Sequence, residues 1–211
     1  MRRSSFDSAG ALAVLKEIAA VMERNKELLL ERDRTVGDGD LGLTMAAGFS
    51  GAAKAAEAAP ETEPGKLWLK AGMAINRHAP STMGTLMATG FMRGGKALAG
   101  KAEAAAPEMA VFFQAFLEGV LERGKAKPGD KTVVDAILPA AEAARAAAGK
   151  ELSDALADTL AGARRGLEEG KKLMSQHGKA AVFREKTIGL EDPGSLAFCL
   201  VVEGFLAAVS A

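Results

Sequence analysis

The chain has 211 residues, and 48% of them are apolar, which is enough to fill a sizeable core and excludes an intrinsically disordered chain. Its 27 Lys and Arg residues balance 27 Asp and Glu residues, and a formal net charge of zero argues against binding to nucleic acid or to a membrane surface. A single cysteine, Cys199, can form no internal disulfide, and the longest apolar run, 196–202, falls short of the roughly 20 residues that span a bilayer, so we expect a cytoplasmic protein.

Residue preferences favour helix along almost the whole chain. Alanine is abundant, tyrosine is absent and aromatic residues make up only 5%, a composition typical of all-α proteins. Apolar residues recur at steps of three and four from Leu12 to Met22, which predicts a first helix there. The same reasoning predicts seven more helices, at 42–58, 66–78, 83–98, 108–124, 132–148, 153–174 and 193–209.

The predicted helices are joined by short connections, which favour antiparallel neighbours. We therefore predict an antiparallel up-and-down helical barrel or bundle of about eight helices, formed by residues 1–211 as one domain. Asp192 followed by Pro193 is typical of a helix N-cap and a first helical position, because proline needs no N–H partner there. The last helix should begin at this point.

One segment, 33–42, departs from the helical pattern, and we expect it to be a loop. It carries three carboxylates and three glycines in ten residues. Carboxylates so close together repel one another unless a cation lies between them, and oxygen ligands without Cys or His match Mg²⁺ better than Zn²⁺. Asp33, Asp38 and Asp40 are therefore predicted metal ligands. The alternative is a solvated turn in which the aspartates only cap the backbone.

Three short motifs match known patterns but lack the context that those patterns need. Residues 37–42 fit the dinucleotide fingerprint, yet no buried strand precedes them. A calcium loop starting at Asp38 would place Phe49 where a bidentate glutamate belongs. Residues 90–96 and 95–101 fit the P-loop spacing without the Ser or Thr that binds magnesium. We reject all three.

Two loops predict contacts with an anion. Residues 79–85 are small and hydroxylated, and 128–132 repeat this arrangement before the next predicted helix. A helix that starts after such a loop points its free N–H groups at a neighbouring phosphate. The alternative is plain capping, with Asp130 or Thr132 as the cap of the second helix. Neither His78 nor His177 lies in a nucleophile motif, so we predict no catalytic residue on this chain.

The sequence resembles the nucleotide-binding (DhaL-type) subunit of phosphotransferase-system-dependent dihydroxyacetone kinase. The resemblance rests on three separated motifs in the same order, and it covers nearly the whole chain. These motifs are GDGDLGLTM at 37–45, GDKTVVD at 129–135 and TIGLEDPG at 187–194. The sequence has no further substrate-binding domain of the kind that an ATP-dependent fused kinase carries, which favours the free subunit.

The resemblance implies a helical barrel that holds ADP or ATP at one end, with Mg²⁺ bridging the diphosphate and the three aspartates Asp33, Asp38 and Asp40. It also implies a set of residues around the nucleotide, namely Leu41, Gly42, Leu43, Thr44, Ser81, Thr82, Gly124, Val133, Lys179, Asp192, Pro193 and Gly194.

The resemblance further implies two protein partners. A phosphotransferase-system subunit would phosphorylate the bound ADP, and the γ-phosphoryl group would then pass to dihydroxyacetone, or a related short ketose, on a separate kinase subunit. We expect no nucleic-acid or membrane partner. Two alternatives are a nucleotide-loaded sensor that binds a transcription regulator and the nucleotide subunit of a kinase for another ketose or a fatty acid.

Several positions depart from the usual family pattern, among them the loop 80–84, which reads PSTMG where the family usually has a glycine-rich GGxSG loop. Leu41 and Thr44 stand where the family usually has His and Asn, and Lys179 stands where it usually has Arg. Lysine keeps the positive charge but lacks the bidentate fork of arginine. These differences bear on the nucleotide contacts and on the choice of ketose.

Overall fold

The computed structural model describes residues 4–210, and this part of the chain is all-α, as predicted. Its only β pairing is an isolated bridge between Phe6 and Ala104. The helices are α1 (Ser8–Arg24), α2 (Lys26–Val36), α3 (Leu41–Ala58), α4 (Pro64–His78), α5 (Thr82–Ala97), α6 (Ala106–Gly124), α7 (Val134–Ala146), α8 (Leu152–Gly170) and α9 (Pro193–Ser210). A 3₁₀ segment, Lys179–Thr187, lies between α8 and α9.

Side-chain caps start several of these helices. The Asp7 carboxylate accepts a hydrogen bond from Gly10 N at 2.7 Å and begins α1. Asp192 does the same for α9, accepting from Ser195 N at 2.7 Å, with Pro193 as the first helical residue. The predicted start of the last helix is therefore confirmed. Such caps satisfy N–H groups that have no partner inside the helix.

Eight of the nine α-helices within residues 4–210 form a closed ring. Each of the helices from α3 to α8 packs against the next one in the chain, and α1 closes the ring by packing against both α9 and α3. This arrangement confirms the predicted eight-helix barrel. The ninth, α2, lies outside the ring, where it contacts α3, α9 and the 3₁₀ segment.

The predicted loop at 33–42 is wrong for its first four and its last two residues, because α2 continues to Val36 and α3 begins at Leu41. Leu29, Leu30 and Val36 are buried, so they give α2 an apolar side to pack with. Residues 26–34 are mostly good helix formers, and burial of Val36 favours two further helical positions. Only 37–40 remain as a loop, and Asp33 lies on the last turn of α2.

Aromatic side chains fill the interior of the ring. Trp68, Phe112 and Phe205 are fully buried and meet with ring centroids 5.0–5.5 Å apart. Gly90 and Gly94 of α5 let the rings of α6 approach the helix backbone, since a Cβ at Gly90 would lie 2.3 Å from Phe116. Burial of each aromatic side chain stabilises the fold by about 1.5–3 kcal/mol. Because the ring is packed, a ligand site has to lie at one of its ends.

Helix α9 is largely apolar, with a mean hydropathy of 1.7 over 18 residues, enough by length and composition to cross a membrane. However, 67% of the helix is buried inside the protein, where it packs against α1 and α8. Glu203 on α9 also pairs with Arg164 at 3.2 Å. These features are those of the core helix of a helical bundle.

Candidate functional site

A cleft of about 1120 Å³ opens at one end of the ring. Its walls come from five places in the chain: the loop between α2 and α3, the start of α5, the end of α6 with the loop after it, residues 177–180, and the start of α9. Convergence of so many helix ends is typical of ligand sites between the helices of a bundle.

The three predicted metal ligands converge at this cleft. Asp33, Asp38 and Asp40 each place a carboxylate oxygen within 4.8 Å of the other two. Asp33 is held by the backbone, because its Oδ2 accepts hydrogen bonds from Asp40 N at 3.0 Å and from Leu41 N at 3.2 Å. The same contacts satisfy N–H groups at the start of α3. One side chain thus joins the end of α2 to the start of α3 and also faces the cleft.

Two glycines make this close approach feasible. A Cβ at Gly37 would lie 2.2 Å from Oδ1 of Asp33, which is shorter than any normal contact. Gly39 has a φ of +74°, in the left-handed region that side chains other than glycine rarely adopt. The glycines of the loop are therefore required by packing at residue 37 and by backbone conformation at residue 39.

Asp33, Asp38 and Asp40 form what we call the acidic cluster, and its negative charges are only partly balanced. The ammonium of Lys179 pairs with Asp38 and lowers the pKa of that carboxyl below its usual value. The pKa of Asp40 is raised, first by partial desolvation and then by the negative charge of Asp38. One lysine faces three carboxylates, so the cluster keeps negative charge that a further cation can balance. An all-oxygen donor set of this kind fits Mg²⁺.

Two helix N-termini form the wall beside the acidic cluster. Ser81 caps α5 by accepting a hydrogen bond from Gly84 N at 3.0 Å. Asp192 caps α9 and lies close to Lys131 and Asp135. Burial raises the pKa of Asp192 to about 6. The N-terminus of a helix carries a partial positive charge, so both helix ends suit an anion.

The loop between α6 and α7 confirms one of its two predicted caps. Oγ1 of Thr132 accepts a hydrogen bond from Val134 N at 3.3 Å, at the start of α7, while the carboxylate of Asp135 accepts from Gly129 N at 2.6 Å and from Thr132 N at 2.8 Å. Asp130 does not cap the helix. Asp130 accepts from Lys127 N at 2.7 Å and pairs with His177 at 2.9 Å. The N–H of Lys127, and then His177, lower the pKa of Asp130.

Nine of the twelve predicted nucleotide-binding residues line the cleft. They are Leu41, Ser81, Thr82, Gly124, Val133, Lys179, Asp192, Pro193 and Gly194. The structure does not bring the other three to the wall. Gly42 packs on the backbone carbonyl of Lys26, Leu43 is 57% exposed, and Thr44 donates a hydrogen bond to the Asp40 carbonyl at 3.1 Å.

Sequence reasoning missed three charged or titratable residues of the cleft wall, Arg123, Lys131 and His177. Arg123 and Lys131 adjoin predicted positions, so proximity along the chain was a usable signal for both. Nothing in the local sequence places His177 at the wall. It lies at the cleft beside Gly178, whose φ is +66°, and pairs with Asp130.

The chain matches the family model of the DAK2 domain over residues 35–207. It is 30% identical over 205 residues to a protein of Listeria innocua named PEP-dependent dihydroxyacetone kinase 1, ADP-binding subunit DhaL, covering 96% of this chain and 97% of that protein. It is 29% identical to the subunit of the same kind from Escherichia coli, of which it covers 88%. It is also 32% identical to L-erythrulose 1-kinase of Mycolicibacterium smegmatis, of which it covers 34%.

Among solved structures, the chain resembles the dihydroxyacetone kinase of C. freundii. The native form aligns with a TM-score of 0.72 and 22% identity over 97% of this chain. The complex of that kinase with AMP-PNP and Mg²⁺ aligns with a TM-score of 0.70 and 23% identity. The chain spans about a third of the length of those kinase chains, with 36% and 35% covered. At this level of identity, the likeness establishes the shared fold.

Proposed function

The chain belongs to the DAK2 domain family, and from this premise we propose that it is the ADP-binding subunit of a dihydroxyacetone kinase. It is a phosphotransferase subunit whose acceptor is an alcohol group. Residues 1–211 act as one nucleotide-binding domain. The γ-phosphoryl group passes from the bound nucleotide to dihydroxyacetone, or to a related short ketose such as erythrulose, held on a separate subunit.

One observation carries this proposal: the acidic cluster and two helix N-termini face the same cleft. Phosphoryl transfer depends mainly on positioning and on neutralisation of charge on the phosphoryl oxygens. The N-termini of α5 and α9 offer N–H groups to the phosphates. The acidic cluster supports a cation opposite them. A cleft of about 1120 Å³ is large enough for a nucleoside diphosphate.

Asp33, Asp38 and Asp40 would hold Mg²⁺. When bound, the ion supplies positive charge that neutralises the phosphate oxygens. Asp33 has a second role that needs no ion, because its hydrogen bonds to Asp40 N and Leu41 N keep the loop folded. The ligand set is therefore largely organised by the fold before a cation arrives.

Other residues of the cleft orient and enclose the nucleotide. Leu86, Val120 and Val133 form an apolar part of the wall that suits the adenine ring of the nucleotide. Lys179 places a positive charge beside the acidic cluster, where it balances part of the charge of Asp38. No general base has to come from this chain, since the acceptor hydroxyl is activated on the subunit that carries the ketose.

The proposal implies two partners in the cytoplasm, a ketose-binding kinase subunit and a phosphotransferase-system phosphoryl donor. The names of the relatives that this chain covers almost completely support this subunit organisation. The zero net charge of the chain gives no support to a nucleic-acid partner.

Mass spectrometry of the purified protein tests the proposal most directly. Spectra under native and then denaturing conditions ask whether ADP travels with the folded chain and is released on unfolding. Phosphoryl transfer to dihydroxyacetone should then require the purified partner subunits. Absence of ADP, together with no affinity for ADP and Mg²⁺ in calorimetry, would refute the proposal. Binding to a transcription regulator without any turnover would favour the sensor alternative.

A further inference from the structure

Lys131 is a buried lysine with an unusual set of partners. Its side chain lines the cleft, but the residue is only 3% exposed. The ammonium donates hydrogen bonds to two backbone carbonyls, those of Leu173, at 3.1 Å, and Thr187. Burial lowers the pKa of Lys131, which expresses the cost of keeping this charge out of water. A buried ammonium is retained only where its hydrogen bonds compensate for that cost.

The backbone at Lys131 is also unfavourable for a lysine. Its φ is +56°, in the left-handed region where glycine is at ease and other residues are strained. Gly129, two residues earlier, adopts positive φ as a glycine. Glycine at position 131 would relieve the strain but would remove the ammonium. The side chain therefore has a role that outweighs its backbone cost.

The two carbonyls that Lys131 binds bracket residues 174–186, which we call the cover segment. Two more contacts close its base: Gly189 N donates to the Lys171 carbonyl at 2.7 Å, and Ser175 N donates to Oγ1 of Thr187 at 3.0 Å. Beyond this base, most of the segment is exposed.

The cover segment forms part of the cleft wall through residues 177–180. Three contacts fasten it to the opposite side of the cleft or to the loop before α7. Lys179 pairs with Asp38, His177 pairs with Asp130, and Gln176 N donates to the Asp130 carbonyl at 2.9 Å. The placement of Lys179 therefore depends on where the base of the segment is held.

We propose that Lys131 is a positioning residue, which clamps the base of the cover segment so that Lys179 is held over the acidic cluster. Two of its three N–H groups are engaged by the carbonyls of Leu173 and Thr187 at the two ends of the segment. Lys131 thus acts on the nucleotide through Lys179 and not by direct contact with a phosphate. This inference rests on the proposed function for its effect on ADP, but the clamp itself can be tested without any nucleotide.

The first test is limited proteolysis of nucleotide-free protein. In the variant Lys131→Met, the carbonyls of Leu173 and Thr187 lose the ammonium that holds them together, so the cover segment should open more often. Tryptic cleavage after Lys179, Arg184 and Lys186, followed by mass spectrometry, should become at least about tenfold faster. The matched control is Lys125→Met, because Lys125 also has positive φ (59°) but is exposed. The control should cleave at the wild-type rate.

Chemical rescue guards against a variant that is simply misfolded. Lys131→Cys in a Cys199→Ala background carries one thiol, since Cys199 is the only cysteine of the chain. Alkylation with 2-bromoethylamine restores an ammonium at nearly the original distance, whereas alkylation with iodoacetamide adds a neutral amide. Protection of the cover segment should return with the first reagent and not with the second. Equal protection after both reagents would overturn the role of the ammonium.

The second test separates the clamp from direct phosphate binding. Lys131→Met and Lys179→Met should each speed ADP dissociation, and the double variant should be little worse than the worse single variant, because both act through one contact. Full additivity of the two effects would overturn the proposal in favour of a direct contact. Unchanged proteolysis in a folded Lys131→Met protein would also overturn it. If wild-type protein binds no ADP at all, the proposed function fails, and proteolysis and rescue still decide the role of Lys131.

Discussion

The ammonium of Lys179 and the carboxylate of Asp38 form an ion pair although 141 positions separate them in the chain. Asp38 lies in the loop after α2, and Lys179 begins the 3₁₀ segment between α8 and α9. The pair therefore ties the two sides of the cleft together. It raises the pKa of Lys179 and lowers that of Asp38, so both groups stay charged over the whole neutral range.

Lys179 and a cation compete for the same carboxylate, which gives opposite expectations for two ligands. In Lys179→Met, Mg²⁺ alone should bind more tightly, by roughly two- to fivefold, because exposed ion pairs are weak. ADP with Mg²⁺ should bind more weakly, because a positive charge beside the phosphates is lost. Lys179→Arg should keep both affinities within about threefold of wild type. Calorimetric titrations of the three proteins check this, and weaker Mg²⁺ binding by the Met variant would contradict it.

Removal of one acidic ligand should abolish Mg²⁺-dependent nucleotide binding. We expect Asp38→Ala to lower the affinity for ADP with Mg²⁺ by at least about a hundredfold, since loss of even an outer-shell metal partner costs about 10–100-fold. Asp40→Asn should behave similarly. Helical content by circular dichroism should be unchanged, because Asp38 is exposed. The control is Glu169→Ala on the exposed side of α8. Unchanged affinity in Asp38→Ala would remove the site assignment.

Gly37 should tolerate no side chain. In Gly37→Ala the new Cβ would displace Asp33, whose Oδ1 would lie only 2.2 Å away. The loop would lose the hydrogen bonds that Asp33 accepts, and we expect a loss of about 1–3 kcal/mol of stability together with weaker Mg²⁺ binding. Gly149→Ala is the control, because no atom lies near its Cβ position. Denaturant unfolding of both variants measures the difference, and equal stability would contradict the packing argument.

Asp192 should make stability fall as the pH rises from about 4 to 6. Burial raises its pKa in the folded protein to about 6, while the unfolded chain has the usual value of 3.8. Between these values the folded state binds more protons, so each unit of pH costs stability, to a total of about 3 kcal/mol. The contribution is fully present below pH 4 and is lost above pH 6.

Asp192→Asn isolates this effect, because its amide oxygen can still accept from Ser195 N and the side chain does not titrate. The difference in unfolding free energy between wild type and Asp192→Asn, measured without nucleotide, should change by about 3 kcal/mol from pH 4 to pH 7. At pH 7 the Asn variant should be the more stable of the two. A difference that is independent of pH would show that Asp192 does not titrate in this range.

The aromatic interior should dominate the stability of the ring. Phe205 is fully buried, and its ring centroid lies 5.5 Å from those of Trp68 and Phe112. Phe205→Ala should cost about 3–5 kcal/mol through lost burial and the cavity that remains. Phe183→Ala, on the exposed 3₁₀ segment, should change stability by less than about 0.5 kcal/mol. Denaturant unfolding compares the two, and similar losses would contradict the described core.

Most of the helices could be predicted because their signals are local. The spacing of apolar residues in α1 and the sequence Asp192-Pro193 at the start of α9 are signals that lie within a few positions of one another. The missed helix, α2, shows the limit of this approach. The sequence analysis predicted no helix at 26–36 and a loop from residue 33 onward, whereas burial of Leu29, Leu30 and Val36 stabilises a helix there.

The candidate site divides in the same way. Three carboxylates within eight residues, with glycines between them, predicted the acidic cluster. The glycines allow so short a segment to bend until its carboxylates lie close together. The sequence also indicated Lys179 through its family resemblance. It gave no signal that Lys131 binds the carbonyls of Leu173 and Thr187, because that contact joins positions 42 and 56 residues apart.

By itself, the sequence therefore determined the helical class, the acidic loop and the start of the last helix, since spacing and capping act within one or two turns. Only the tertiary structure decided how the ring closes, where α2 ends and which lysine holds the cover segment. The physical reason is that burial and ion pairing between distant segments depend on where the folded backbone places them. Local preferences carry no information about that placement.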